Sequence, residues 1–449
     1  MELTCGGCGA VVDGAGAYPF RCPNFGVGDV DHVLVASKPR SPGDGSATWY
    51  LGPPKDPNPF VRFRGLLDCH RRSLEIGIPD DRYVEIVTDL TRRIEAVDGT
   101  RLGATPLERN SYLSDFHGFS PSGGVWVKDE TSNVAGSHKV RHLAGIMVHL
   151  LSNEQAGLTD PDARPDLAIA SCGNAALAAG VVAAAAGWRL KVYVPSHADA
   201  GITARLAALG ANVLACERRD GEAGDPTYRR LLEAIKDGDI AFTCQGNLNA
   251  FCSDGGRTLG YEVISDALVA GAVPDHVIIQ VGGGALATSC IQAFTSAAQS
   301  GVISHMPAVH TLQPLGAHPL ERAFTKLKEL KEQSGWPADA TGVARLLGEA
   351  ARHRSRYMWP WEEPRSVASG IVDDETYDWL AVVGGMLQTG GSALVAEERE
   401  LLEAHTRAAK AGLSASPTGA AGLAGLGQLV ASGVVSADDK VLVLATGAR

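Results

Sequence analysis

Positive charge is what this chain is short of. Lys and Arg together number 40 against 51 Asp and Glu, a net charge of -11. That balance argues against nucleic acid or an anionic membrane as the main partner, because both select for surplus Lys and Arg. It does not exclude a small anionic ligand, which backbone dipoles can hold against the global charge. Long apolar runs are missing too. The most apolar stretch, Leu167 to Trp188, is broken by Asn174 and several glycines. It reads as a buried strand and helix rather than a membrane span. Met1 to Cys8 has neither a basic region nor an apolar core, so no secretory signal is expected there. A disulfide framework is also absent. The nine cysteines are an odd number, and Cys69, Cys172, Cys216, Cys244, Cys252 and Cys290 are scattered through apolar or loop segments. A reducing, cytoplasmic setting is the expectation. No internal repeat or extended low-complexity tract interrupts the chain.

What is present is ordinary globular material. A chain of 449 residues with 45% hydrophobic and 20% charged content suggests two or three units. Cys5 and Cys8, then Cys22, have the look of a zinc ribbon with one ligand missing. Paired C-x2-C knuckles complete a tetrahedron of soft thiolates. Phe25 stands where the fourth ligand is expected, and Asp31 or His32 could replace it. Ser37 to Pro59, rich in Pro, Gly, Ser and Asp, reads as a surface linker. Two helical patterns follow, one on Phe60, Phe63, Leu66 and Leu67, the other on Tyr83, Ile86, Val87, Leu90 and Ile94. Their arginines, Arg62, Arg64, Arg71 and Arg72, read as a solvated or interface face.

From Thr105 onward, short apolar runs alternate with helices. The expected strands are Val125–Val127, Leu167–Ala170, Leu190–Val194, Val213–Ala215, His276–Val281, Ala308–Leu312 and Val441–Ala445. Such alternation implies an α/β chain with open, mostly parallel sheets and ligands at the carboxyl ends of the strands. Ala323 to Ser355 is charged and helical and is expected outside the core.

Four short stretches carry chemistry. Lys139 follows the small residues of Asn133 to Ser137 and opens an apolar helix, Leu143, Ala144, Ile146, Met147, Leu150 and Leu151. A helix N-terminus presents free N–H groups and partial positive charge, which suits a phosphate and lowers an amine's pKa. A lysine placed so is suited to Schiff-base chemistry. Ser171, Cys172, Gly173 and Asn174 follow a strand and open an alanine-rich helix. Gly282, Gly283, Gly284 and Ala285 also follow a strand, as a loop whose bare amides can close round a phosphate. Thr446 and Gly447 end the last strand.

The order of these pieces, from Thr105 to the C-terminus, resembles the pyridoxal-phosphate enzymes of fold type II. These include threonine synthase, the serine and threonine dehydratases and the tryptophan synthase beta chain. The ribbon-like start and Phe63 to Leu67 further resemble the N-terminal part of threonine synthase. The resemblance implies two open, mostly parallel sheets flanked by helices. It divides the chain into a zinc-ribbon-like segment at 1–45, a helical lead-in and start of the large domain at 46–130, a small mobile α/β domain at 131–225 and a large cofactor-binding α/β domain at 226–449. By the same resemblance, Lys139 would carry pyridoxal 5'-phosphate. Asn174 would meet the ring hydroxyl oxygen, Gly282 to Ala285 the phosphate, and Thr446 the pyridine nitrogen. Ser171, with the amides around Cys172 and Gly173, would hold the substrate carboxylate. A neutral hydroxyl at the ring nitrogen leaves the ring a weaker electron sink than a carboxylate would, which favours expulsion of a β substituent over transamination. Lys139 would also take the α proton. A homodimer acting on a small amino acid is implied, with room for a structural zinc and a monovalent cation.

The chain departs from its relatives in informative places. Threonine synthases carry Phe-Lys-Asp at the lysine, whereas this chain has His138-Lys139-Val140, closer to the tryptophan synthase beta chain. His138 would then lie near the phosphate or cap the helix. The dehydratases often place a histidine after the asparagine, where this chain has Ala175. The leading expectation is dehydration of a β-hydroxy-α-amino acid such as threonine, serine or phenylserine to a keto acid and ammonia. The alternatives are replacement chemistry of the threonine-synthase kind and a catalytically silent cofactor-binding protein. Replacement on a phosphorylated substrate needs a second anion site, for which Lys128, Arg141 and Arg257 are the candidates.

Overall fold

Strand and helix alternate through the chain to give two open sheets and an amino-terminal ribbon. The computed structural model describes residues 2–36, 47–51, 56–222, 224–337 and 339–448. The larger sheet has six strands, in the order Ala393–Ala396, Ala308–Pro314, His276–Gln280, Lys440–Ala445, Gly124–Asp129 and Leu107–Arg109. Every pair is parallel except the last. The smaller sheet runs Asn212–Cys216, Leu190–Pro195, Leu167–Ala170, Ile240–Ala241, all parallel. Parallel strands covered by helices on both faces need apolar side chains on both, and Val277, Ile278 and Ile279 are accordingly all buried. The third sheet is an antiparallel ribbon of Val11–Asp13, Glu2–Cys5 and Leu34–Ala36.

All seven expected strands are present, with bounds shifted by at most two residues. The strands not expected are short or at an edge. Leu107–Arg109 has one apolar residue to announce it, and Ala393–Ala396 is mostly half-buried. Residues 37–46 and 52–55 of the expected linker lie outside the described residues. Between them Ala47–Leu51 is helical, and Pro59 opens a further helix. Two expectations need correction. Ala323 to Ser355 is helical, in Pro319–Ser334 and Ala340–Arg352, but not peripheral: Ala323, Phe324, Leu327, Val343, Leu346 and Ala350 are buried. Its charges line only the outward stripe of each helix. Arg72, expected on a solvated face, is fully buried and donates to the carbonyls of Gly14, Ala15 and Gly16, tying the ribbon to the helical lead-in.

The helix Lys139–Gln155 crosses Cys252–Ala270 at bare backbone. A Cβ on Gly255 would stand 2.0 Å from the Arg141 carbonyl oxygen, so only glycine permits the approach. Beside the crossing lies a fully buried ionic network. Arg141 donates through Nε to Glu130 (2.9 Å) and through Nη1 to Glu262 (2.7 Å). Lys128 Nζ donates to Glu262 (2.7 Å) and to the Thr105 carbonyl (2.6 Å). Two cations face two fully buried carboxylates, and Lys128 also lies 3.9 Å from the half-buried Asp266. The network ties the strand Gly124–Asp129, next to the sheet edge, to both helices. Burial pushes Glu130 up, but the charge and hydrogen bonds of Arg141 outweigh it and leave the carboxyl at about 2.

Arg141→Ala leaves two carboxylates buried without their main partner. The expected cost is about 3–5 kcal/mol of stability, read as a fall in denaturation midpoint. Because folding lowers the Glu130 pKa from 4.5 to about 2, its stabilisation is complete above pH 4.5 and lost as pH falls toward 2. An acid titration of Tm should show this loss in the wild type and a shallower one in Arg141→Ala.

Candidate active site

The loop before Lys139 is held in a conformation that ordinary residues avoid. Ala135 and Gly136 both have positive φ, at 55° and 74°. A left-handed alanine costs on the order of 1–2 kcal/mol, and such strain persists only where surrounding structure over-determines it. Here the determinants are explicit. The Ala135 amide donates to Asp98 (3.1 Å), the His138 amide to the Thr446 carbonyl (3.1 Å) and the Ala448 amide to the Gly136 carbonyl (2.9 Å). Ser137 bridges Gly447. The lysine loop is thereby sewn to the end of the last strand, and Lys139 is the first residue of the helix behind it.

His138 makes no side-chain capping bond. Its Nδ1–H donates to the Thr446 carbonyl at 3.0 Å, and Nε2 is buried with no hydrogen-bond partner among the described residues. Burial, with the charge of Lys139 and the neighbouring His142, holds His138 well below the usual histidine range. It is a neutral imidazole whose free lone pair sits beside the lysine loop. His138 thus stands at the N-cap position of the helix, with its side chain bonded to the Thr446 carbonyl rather than to the helix's own amides.

Thr446 is oriented from behind by Gln280, the last residue of its strand. Gln280 Nε2 lies within reach of the carbonyls of Thr418 (3.2 Å), Gly419 (2.9 Å) and Leu444 (3.0 Å), which identifies it as the nitrogen. It also donates to Thr446 Oγ1 at 2.9 Å. The Thr446 hydroxyl therefore accepts one bond and keeps its own hydrogen to donate. Asn174, first residue of its helix, reaches the same corner: a Cβ on Gly447 would lie 2.9 Å from Asn174 Nδ2 and 3.0 Å from Ser137 Cβ.

Gly282, Gly283 and Gly284 leave the strand His276–Gln280 and lead into the helix Ala285–Gln299. Gly284 has φ 97°, which favours glycine. Thr288, one turn in, has a buried Oγ1 with no partner among the described residues. Packed on the loop is Asp373 to Asp378, which the sequence reading passed over. The Asp378 amide donates to the Gly283 carbonyl (2.9 Å), and its carboxylate accepts the Gly246 amide (3.1 Å). Asp373 presses on Gly282, and its carboxyl accepts the Gly283 amide. Burial raises Asp373 to about 6 against the pull of the Lys139 charge, and raises Asp374 to about 7 with help from Glu375 and Asp373. Burial also raises Asp378 to about 7, against the Gly246 amide, with Asp31 adding to the rise and Lys139 opposing it. The only advance signal was the run Asp373-Asp374-Glu375, which by itself reads as surface.

Ser171 closes the other side. Its amide donates to the Tyr193 carbonyl (3.2 Å), and its hydroxyl accepts the Gly173 amide (3.3 Å). Burial raises the Cys172 thiol, with Asp225 and Asp373 adding to the rise, so it is not a ready nucleophile. Cys5, Cys8 and Cys22 do not join this cleft; they converge on one another in the ribbon. Lys128 and Arg141 are taken by the buried network, and Arg257 pairs with Asp68 and Asp254.

The residues present fit pyridoxal phosphate. Lys139 supplies an amine, the loop amides and the Thr288 hydroxyl suit a phosphate, and Thr446 has a hydrogen to offer an unprotonated ring nitrogen. An ionised Asp373 would repel a phosphate at Gly283, so the protonated form favoured by its burial is the one that fits.

Comparisons with known proteins agree on this family. A family model described as pyridoxal-phosphate dependent enzyme matches residues 100–447. Threonine synthase of Methanocaldococcus jannaschii is 24% identical over 380 residues, covering 84% of this chain and 81% of that protein. Among solved structures, the processed form of threonine deaminase isoform 2 from Solanum lycopersicum superposes with a TM-score of 0.57 at 17% identity, over 83% of this chain and 90% of that one. Diaminopropionate ammonia lyase from Escherichia coli gives 0.56 at 17% identity, over 81% and 88%.

Borohydride reduction of the cofactor-loaded protein should fix the cofactor on the peptide carrying Lys139, seen by mass spectrometry, and Lys139→Ala should take up none. Label on another lysine would displace Lys139 from this role.

Proposed function

The chain belongs to the pyridoxal-phosphate dependent enzymes, and we propose that it is a lyase that removes water from a β-hydroxy-α-amino acid, yielding a keto acid and ammonia. The observation that carries this reading is the electrostatic lining of the cleft. The three cations proposed from sequence to anchor a phosphorylated substrate, Lys128, Arg141 and Arg257, are committed to carboxylates. The carboxyls that feel the Lys139 charge are instead Asp373 and Asp378, on the segment packed against the glycine loop. Such a wall offers a second phosphate no counter-charge and accommodates a neutral leaving group.

Pyridoxal phosphate, when bound, draws electrons from the α-carbon and so acidifies its proton. Lys139 Nζ is the base placed to take that proton. Thr446, accepting from Gln280, would offer its own hydrogen to the ring nitrogen, an arrangement that suits an uncharged nitrogen. The Ser171 hydroxyl and the amides of Cys172 and Gly173 hold the substrate carboxylate. Hydroxide is a poor leaving group and needs a proton as it departs. Asp373, packed on the glycine loop and raised above the usual carboxylate range by burial, is the acid assigned to this step.

A second reading has one observation in its favour, the naming of the sequence relatives as threonine synthases. It requires a cation near the cleft that the three candidates do not supply.

With serine, threonine or phenylserine, keto acid and ammonia should form in equal amounts. Asp373→Asn should lower kcat on these substrates by roughly 10²–10⁴-fold while leaving β-chloroalanine, whose chloride needs no proton, within a few-fold of wild type. No ammonia from any hydroxy amino acid would end the lyase reading. Equal losses on both substrate kinds would remove Asp373 as the acid.

A further inference from the structure

Cys5, Cys8, Cys22 and His32 place their ligand atoms within 4.8 Å of one another in the amino-terminal ribbon. The spacing is specific. Cys8 and Cys22 sulfurs are 3.6 Å apart, and His32 Nδ1 lies 3.7 Å from Cys5 Sγ and 3.5 Å from Cys22 Sγ. A tetrahedral zinc with bonds of about 2.3 Å to sulfur and about 2.0 Å to nitrogen puts its ligand atoms roughly 3.5–3.8 Å apart. The sulfurs are too far apart for a disulfide, and all four ligand residues come from loops or strand ends of one small unit.

The surroundings of the ligands point the same way. His32 Nε2 lies 3.0 Å from the Val27 carbonyl and must donate to it, which leaves Nδ1 unprotonated toward the three sulfurs. The Asn24 amide reaches Cys22 Sγ at 3.4 Å, and Asn24 Nδ2 reaches Cys8 Sγ at 3.5 Å. These N–H donors suit thiolate acceptors. Asp31, the other residue able to complete the set, is engaged elsewhere: it accepts from Trp379 Nε1 (3.1 Å) and pairs with Arg354 (3.4 Å).

We infer that the ribbon is a Cys3His zinc centre formed by Cys5, Cys8, Cys22 and His32, and that the metal braces the active-site wall through Asp31. The ribbon's strands are only three or four residues long. A sheet that short has little core of its own, and a structural metal supplies folding free energy directly. The brace follows covalently from His32 to Asp31. The Asp31 amide donates to the Ala351 carbonyl (2.8 Å) and its carboxylate holds Trp379, first residue of the helix Trp379–Thr389. The residue before it, Asp378, bonds the carbonyl of Gly283 in the glycine loop.

Protein purified under reducing conditions should contain one zinc per chain by elemental analysis. Cobalt(II) added to metal-stripped protein should give the intense thiolate-to-metal absorption and visible bands of a tetrahedral site. His32→Ala should bind cobalt at least tenfold more weakly and lose the tetrahedral bands, and His32→Cys should retain one tightly held metal. Absence of both zinc and a cobalt–thiolate band in folded wild type would overturn the centre. A His32→Ala protein with wild-type affinity and spectrum would overturn His32 as ligand. For the brace, amide hydrogen exchange in peptides spanning residues 372–390 should quicken when a chelator removes the metal, and an unchanged rate would overturn it. None of these readouts depends on turnover.

Discussion

The pairing of Arg141 with Glu130 and Glu262 is the constraint on which the rest of the structure depends. Arg141 lies two residues beyond Lys139 on the same helix. Its guanidinium is satisfied only if that helix, the strand end at Glu130 and the helix carrying Glu262 meet in one arrangement. A buried ion pair contributes little net stability against an apolar alternative, but breaking one is costly. Its value here is positional. The Gly255–Arg141 backbone contact fixes the distance between the two helices, and the network fixes their register. The strained turn at Ala135 and Gly136 can then be held in place, with Lys139 directed at the cleft.

The same commitment of cations shapes the chemistry. Lys128 and Arg141 would each be attractive to a phosphate if they reached the cleft, yet both are consumed in neutralising Glu130 and Glu262. The cleft wall is built by the segment packed on the glycine loop, and that segment is acidic. Burial raises Asp373 to about 6 and Asp374 and Asp378 to about 7. On the proposed reading, such carboxyls serve as acids to a departing neutral group and offer no counter-charge to a second dianion. The backbone amides at Gly282 to Gly284 make the opposite provision, so on that reading one anion is accommodated and a second is not.

Much of this was legible in the sequence because it is written at strand ends. Glycines after Val281, Asn174 after Gly173, and Thr446 at the close of the last strand are local features, and the seven main strands announced themselves by apolar runs. The acidic wall was not legible. Asp373 to Asp378 contains four acids in six residues, a composition that belongs on a surface; in the fold Thr376, Tyr377 and Asp378 are buried and Asp373 to Glu375 are half-buried. Arg72 and the charged helices between Ala323 and Ser355 misled for the same reason, since a polar residue does not declare what will cover it. The fourth ribbon ligand remained open between Asp31 and His32 because adjacent residues differ in direction, which only the folded backbone decides.

The account rests on the claim that this cleft expels a neutral group and refuses a second phosphate. Phosphorus NMR of the holoenzyme with O-phosphohomoserine and threonine together tests it directly. The account predicts that the phosphomonoester resonance persists while threonine is converted to its keto acid. Growth of the inorganic phosphate resonance with threonine accumulating would contradict it.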